Sequence, residues 1–354
     1  MIKPRVTIVV AIYNVKNEYL IQCIESLRNQ TLNDIEILLI SDNSCQKNIE
    51  LMQYYEKKDK RIRCIYNTYN RKLAGVRNQG IEEAKGEFIC YVDNDDWMDR
   101  EACKKAYYYA IKTQAEVVLW SYQTSREGEN KKTNYFGPSN KLYVSGEELD
   151  ALQGQILDPT FCTWQQIPMA VTAWAKLYSV EYLRKHKEIR FPENLGTGGE
   201  DYVFNYQLMG EIKRAFFFED YSYYYRQFSD SFTKQYRGDE WCNRMKYIRE
   251  IGKFVKNEKT QQRHVYERFC LNEMLRQLCV TQRHPDCCLK YKQKKDEVKK
   301  IVKEDIIQQA LNEIRYLSFN CSKRLYFMCA KRGWINILLL MSAVYSKKLN
   351  VNRT

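Results

Sequence analysis

The sequence predicts an α/β fold: a doubly wound sheet with helices on both faces, followed by a smaller all-helical C-terminal domain. Two observations carry this. Between Arg5 and about Ser121, short apolar runs rich in β-branched residues alternate with helix-period segments over short links, which is the pattern of repeated βα units. Beyond Gly238 the composition changes to helix formers and charge, with Pro285 the only proline. At 354 residues and 44% hydrophobic content, the chain is long enough for one large core or two ordinary domains. The expected division is 1–235 for the α/β part and 236–354 for the helical part.

The elements follow in order. Val6 to Ile12 is a continuous apolar run, as a strand buried on both faces requires. Leu20, Cys23, Ile24 and Leu27 recur at helical spacing and predict a helix with one apolar face. Ile35 to Ile40 predicts a second strand, Ile49 to Tyr55 a helix, and Arg61 to Tyr66 a third strand. Ala74 to Ala84 predicts a helix closed by Lys85-Gly86, and Phe88 to Val92 a fourth strand. Residues 120 to 200 read as loops that shape a pocket. In the second half, Trp241 to Phe254, His264 to Cys279, Lys290 to Val302, Glu304 to Leu317 and Lys323 to Tyr345 each show helical apolar spacing.

Composition excludes several classes. The longest apolar stretch, Ile335 to Val344, is about half of the roughly 20 residues a bilayer span needs. The first residues lack the order of a secretion signal, so a cytoplasmic protein is expected. The thirteen cysteines are spread from Cys23 to Cys329 without a Cys-x-x-Cys pair, and there are three histidines. Free, mostly buried thiols are expected, with no zinc site. Fifty-seven basic against 44 acidic residues leave a net charge of +13, which favours anionic partners. No helix-turn-helix, zinc-finger or aromatic RNA-binding motif accompanies that charge, so nucleic acid is not the expected partner.

In doubly wound sheets, ligands bind at the carboxyl ends of the strands. Those ends carry Tyr13-Asn14, Ser41-Asp42-Asn43-Ser44, Asn67 to Lys72, and Asp93-Asn94-Asp95-Asp96. Each alone reads equally as a turn or helix cap. The last is harder to read that way, because three carboxylates within four residues repel one another unless a cation is present. Neither a Gly-x-Gly-x-x-Gly nor a Gly-Lys-Ser/Thr loop follows the first strand, so a phosphate binder here would be a metal held by aspartates. Glu200-Asp201 follows the turn Gly196 to Gly199 and opens an amphipathic helix, where it serves either dipole complementarity or catalysis.

With these residues in hand, the chain resembles the family 2 glycosyltransferases of the GT-A fold. The matching stretches are VTIVVAIYN (6–14), IEILLISDNS (35–44), NRKLAGVRNQG (70–80), AKGEFICYVDNDDW (84–97), AWAKLY (173–178) and GGEDYVFNYQL (198–208). The resemblance implies a mixed sheet and an inverting enzyme that uses a nucleotide-activated sugar. It implies that Tyr13 stacks on uracil, Asp42 bonds the uracil or ribose, and Asn70 and Arg77 complete the nucleoside end. Asp93-Asn94-Asp95 corresponds to the family's Asp-x-Asp motif, with Asp93 facing the ribose and Asp95 holding Mn²⁺ or Mg²⁺ against the diphosphate. Asp201, paired with Glu200, corresponds to the catalytic base. Arg226 and Ser231 correspond to donor phosphate contacts, the alternative for Arg226 being a surface strand charge. Three positions depart from the family: Ala11 stands for its usual Pro in the donor site, Asn43 where Gly is common, and Lys72 where Gly is usual. The implied donor is a UDP-sugar, and the acceptor a surface glycan or a lipid-linked or teichoic-type polymer. A catalytically inactive scaffold of the same fold and a basic nucleic-acid-binding protein are the alternative readings.

The basic residues of the second half lie beside apolar helices: Lys290 to Lys295, Lys331-Arg332 and Lys347-Lys348. They predict either a solvated bundle face or peripheral contact with an anionic membrane, with Trp334, Ile335 and Leu338 entering the interface. In the bundle alternative, Ile335, Leu338, Leu339 and Val344 are core residues.

Overall fold

Strands with apolar residues on both sides need cover on both faces, and the first half of the chain supplies it. The computed structural model describes residues 3–133, 140–157, 170–195, 198–227, 238–255, 260–284, 286–314 and 319–348. Contacts divide the chain into two units, one within 1–156 and 166–227, the other within 157–165 and 228–354.

The first unit opens with β1 (Val6–Ile12), α1 (Asn17–Arg28), β2 (Ile35–Asp42), α2 (Gln46–Lys58), β3 (Ile62–Asn67), α3 (Lys72–Glu83) and β4 (Phe88–Asp93). It continues with β5 (Trp97–Met98), α4 (Ala102–Thr113), β6 (Val117–Arg126), β7 (Glu129–Thr133), β8 (Lys141–Val144) and α5 (Glu147–Leu157). Last come β9 (Lys176–Ser179), α6 (Val180–Lys185), α7 (Glu200–Met209) and β10 (Arg214–Arg226). One sheet has the order β3-β2-β1-β4-β9-β6-β10-β5, with β7 beside β6 and β8 beside β10. The first four strands are parallel, but β9 runs antiparallel between β4 and β6, so the sheet is mixed. The stretch read as loops between 120 and 200 contains most of β6, all of β7, β8 and β9, and helices α5 and α6. Tyr122, Tyr143 and Tyr178 occupy core positions there. Short strands broken by Gly and charge leave too little periodicity for sequence reading.

Alternation along β1 assigns the faces. Val6, Ile8, Val10 and Ile12 pack with Leu20, Cys23, Ile24 and Leu27 of α1, Met52 and Tyr55 of α2, and Ala106 and Ala110 of α4. Val9 points to the other face, where a Cβ on Gly80 of α3 would lie 2.9 Å from its Cγ1. The glycine is therefore what lets α3 approach the sheet. On that face Phe191 stacks on Phe204 with centroids 3.8 Å apart and meets Tyr91 edge-on. Because β2 and β4 flank β1 on opposite sides, the chain reverses its winding beside β1, and a crevice opens there at the carboxyl ends. Register brings Ala11 beside Asp93 and Asp42 beside Asn67 at that edge.

The second unit is helical: α8 (Glu240–Phe254), α9 (Thr260–Arg283), α10 (Tyr291–Val302), α11 (Asp305–Glu313), α12 (Cys321–Lys331) and α13 (Ile335–Lys348). The long α9 packs against α8, α10, α11 and α13. Buried Arg244 pairs with buried Glu273 and with the partly exposed Glu240, and Tyr247 donates to Glu273 at 2.6 Å, so this interior charge is paired. The apolar spacing from Lys323 to Tyr345 predicts one helix, yet the chain breaks at Gly333, whose φ of +67° belongs to the left-handed region. All twelve described cysteines are free thiols, but only six are buried.

Candidate active site

Side chains from the ends of β1, β2, β4 and β10 and from the starts of α3 and α7 meet at the crevice. After β1, Asn14 adopts φ +48°, its N–H donates to Ser44 Oγ at 2.8 Å, and its Oδ1 accepts from the Cys45 N–H at 2.8 Å. The β1 and β2 loops are thereby joined, and Tyr13 is left half exposed between them. Asp42 is buried and accepts the Arg71 N–H at 2.6 Å, which ties the end of β2 to the start of α3. Asn70 accepts from the Lys72 N–H at 2.9 Å. Asn43 and Lys72, which stand where the family favours Gly, have φ of +58° and +61°. The backbone thus keeps the left-handed turns while the side chains differ, at a local cost of about 1–2 kcal/mol for the lysine.

The turn after β4 is held from several sides. Asn94 donates to the Ala11 carbonyl at 2.8 Å, so it locks the turn to β1. Asp96 is buried; it accepts from Tyr223 Oη at 2.7 Å and from the Arg226 N–H at 2.8 Å. Burial, then the neighbouring Asp95 and Asp93, pushes the Asp96 carboxyl well above its ordinary range. Asp93 is pushed up to about 6, by burial first, with Arg77 opposing. Burial raises Asp95 as well. Arg226 donates from Nε to the Asp95 carbonyl at 2.8 Å and lies over Tyr19 and Trp97, 4.5 and 4.6 Å from the ring centroids. It is therefore an anchored cation beside the acidic turn and not a loose surface charge. Ser231 lies outside the described residues.

Glu200 and Asp201 open α7 after Gly198 and Gly199, whose φ of +87° and +94° only glycine adopts freely. Asp201 accepts the Ala173 N–H at 3.1 Å through Oδ2 and pairs with Arg77 through Oδ1. Glu200 is pushed up to about 6 by burial and by repulsion from Asp201, and its Oε2 is buried without a hydrogen-bond partner among the described residues.

Arg77 joins the two acidic elements. Resemblance puts it at the nucleoside end, but its side chain is 3% exposed and it reaches Asp201, Asp93 at 3.3 Å and Glu200 at 3.9 Å. Burial works against its charge, yet the three carboxylates raise its pKa above the ordinary value. Arg77 holds the carboxylates together and stands behind the crevice.

Three residues of this site escape sequence reasoning about roles: Asp96, Tyr223 and Lys176. Lys176 lies within AWAKLY, is fully buried, and donates to the Thr172 carbonyl and, at 3.1 Å, to Thr172 Oγ1. Burial pushes its pKa down to about 7, while Asp201 partly restores it. A lysine inside an apolar hexapeptide was the available signal. Four of the six non-glycine residues with positive φ among the described residues, Asn14, Asn43, Lys72 and Ala175, lie on these site segments, where strained backbone tends to collect.

Residues 7–165 match the model of glycosyl transferase family 2. EpsH of Bacillus subtilis (strain 168), named as a glycosyltransferase, is 24% identical over 350 residues, covering 97% of this chain and 96% of its own. A poly(ribitol-phosphate) beta-glucosyltransferase of Bacillus spizizenii is 29% identical over 225 residues, covering 62% of this chain, which spans about a third (32%) of that longer protein. Among solved structures, S. aureus TarS 1-349 in complex with UDP-GlcNAc superposes with a TM-score of 0.71 at 17% identity, covering 97% of this chain and 92% of that one, and shares its fold. Residues 7–165 thus carry a family 2 glycosyltransferase domain, on the mixed α/β sheet of the GT-A fold.

Proposed function

We propose that this glycosyltransferase moves a hexose from a UDP-sugar to a hydroxyl of a growing surface glycan or a lipid-linked, teichoic-type polymer, by metal-assisted single displacement with inversion. The observation that carries the reading is Arg77. One buried guanidinium grips Asp93 at the end of β4 and Asp201 at the start of α7, so a donor-side carboxylate and a candidate base face one crevice. Asp201 takes the proton of the acceptor hydroxyl as its oxygen bonds to the anomeric carbon, and the bond from that carbon to the diphosphate oxygen breaks on the opposite side. The Ala173 N–H and Arg77 fix the orientation of Asp201. A single displacement needs one base and no protein nucleophile, which fits one oriented carboxylate.

Tyr13 offers its exposed ring to the base, and Asp42 and Asn70 border the nucleoside end. Asp95 and Asp93 are the residues that would hold Mn²⁺ or Mg²⁺. They are hard oxygen donors on one turn, and burial makes each costly to ionise without a counter-charge. Among the described residues no group of three or more His, Cys, Asp or Glu forms a ready-made metal cage, so the two aspartates would share the ion with diphosphate oxygens. Bound there, the cation supplies charge stabilisation to the departing diphosphate. Arg226, held beside Asp95, adds a fixed positive charge on the same side.

The UDP-sugar donor is supported by the TarS complex with UDP-GlcNAc, and the polymer acceptor by the poly(ribitol-phosphate) relative. Thermal shift against a panel of nucleotide sugars with Mn²⁺ tests the reading. A ligand at a hundred times its Kd stabilises the native state by about 2.7 kcal/mol, which raises Tm by several degrees. A UDP-sugar should do this and be turned over to UDP when acceptor polymer is added. Absence of both effects across the panel would overturn it.

A further inference from the structure

Helices α12 and α13 form an antiparallel pair. Tyr326 Oη meets Ser342 Oγ at 2.7 Å, and Tyr345 Oη donates to Ser322 Oγ at 2.7 Å. Their inner side is core: Tyr326, Phe327, Leu338 and Leu339 are buried. The outer side is apolar too. Leu325, Met328, Trp334, Ile337, Leu340 and Val344 are between 43% and 69% exposed. Positions 337, 340 and 344 fall on one stripe of α13, opposite the buried 335, 338, 339 and 342. A single exposed apolar residue is ordinary, but five on one helix pair and a sixth in its connecting turn call for a cover. Of the residues the sequence assigns to a bundle core, Ile335, Leu338 and Leu339 are buried but Val344 is exposed; of those it assigns to an interface, Ile335 and Leu338 are buried and only Trp334 faces outward.

The surrounding charge selects the cover. From Arg315 to the end the chain carries eight Lys and Arg and no Asp or Glu, so this segment supplies eight of the thirteen excess positive charges. Lys331 and Arg332 stand beside the α12–α13 turn, and the Arg332 guanidinium lies 5.2 Å from the Trp334 ring centroid. A second copy docked through the same face would set cation against cation. Nucleic acid would satisfy the charge but offers nothing for the leucines. An anionic lipid surface answers both, with hydrocarbon beneath a layer of phosphates, and Trp334 is suited to the boundary between them. Crossing the bilayer is not the alternative: the 14 residues of α13 rise about 21 Å against the roughly 30 Å of a hydrocarbon core. No helix among the described residues is long and apolar enough to span a membrane.

We propose that the outer face of α12 and α13 docks this protein on an anionic bilayer, the apolar stripe entering the headgroup boundary and the basic residues meeting lipid phosphate. The inference rests on the helical unit and not on the donor or acceptor assignment, and its test needs no sugar nucleotide, so the two readings fail separately. The full chain should sediment with mixed phosphatidylcholine and phosphatidylglycerol vesicles, not with phosphatidylcholine alone, and should be released by high salt. Lys331→Gln with Arg332→Gln should lower partitioning about fivefold per charge removed. Ile337→Glu with Leu340→Glu should abolish it, and the single change Leu340→Gln should reduce it severalfold. All three variants should keep the wild-type circular dichroism and melting temperature, because the changed side chains face solvent. Failure of the wild type to sediment with anionic vesicles overturns the proposal. So does sedimentation of the folded Leu340→Gln and glutamate variants at wild-type levels, or concentration-dependent self-association that those variants abolish.

Discussion

Replacing Arg77 with methionine keeps most of the side-chain volume and removes the charge that three carboxylates share. At the 3.3 Å separation from Asp93, one unit charge pair is worth about 5 kcal/mol at an effective dielectric of 20. Desolvation of the guanidinium offsets part of this, and breaking a buried pair by removing one partner costs about 3–5 kcal/mol. The loss should depend on pH in a defined direction. Asp93 and Glu200 titrate near 6 in the folded protein, above their ordinary 3.8 and 4.5. A carboxylate raised in the fold favours the native state when protonated, and that contribution is lost as pH rises through the folded value. Without Arg77 the two are raised further, so the stability gap between wild type and Arg77→Met should be widest at pH 8 and shrink towards pH 5. Urea unfolding followed by tryptophan fluorescence at both pH values measures it. A gap of the same size at pH 5 and pH 8 would refute the shared-counter-ion argument, and a gap below about 1 kcal/mol at pH 8 would show that Arg77 is not the keystone of the cluster.

Asp201→Asn keeps shape and removes basicity: nucleotide-sugar affinity by calorimetry should stay near wild type while transfer falls roughly a hundredfold or more, the scale of a lost general base. Transfer at near wild-type rate would move the base elsewhere. Asp95→Ala should eliminate the difference in donor affinity between Mn²⁺ and chelator while the melting temperature holds; a retained metal effect would dismiss Asp95 as the ligand. Lys176→Met tests the buried ammonium. Its pKa is pushed down to about 7 by burial, so the cost of charging it is fully present below pH 7 and fades as pH rises towards the ordinary 10.5. The methionine variant should therefore gain more in melting temperature at pH 6 than at pH 9, and an equal change at both would show that desolvation does not govern this site.

Local pattern sufficed for the βα repeats from β1 to β4, because continuous β-branched runs and helical stripes are signals carried within a dozen residues. It also marked the strand ends that carry Tyr13, Asp42 and Asp93 and the helix start at Glu200-Asp201, because polar residues interrupting apolar runs stand out in the sequence. The region from 120 to 200 was illegible: β9 enters the sheet between β4 and β6, and its partners lie some 60 to 90 residues away. The part of Arg77 was equally hidden, since its partners at 93, 200 and 201 come together only when α3, β4 and α7 meet. The same holds for Asp96, whose bonds to Tyr223 and Arg226 span about 130 positions, and for the two faces of α13, apolar all round in sequence but half covered by α9 and α12. Periodicity and residue type report which groups a segment must bury or solvate. Which carboxylate meets which cation, and which apolar face is left without cover, depends on distances between segments far apart in the chain, and only tertiary packing decides those.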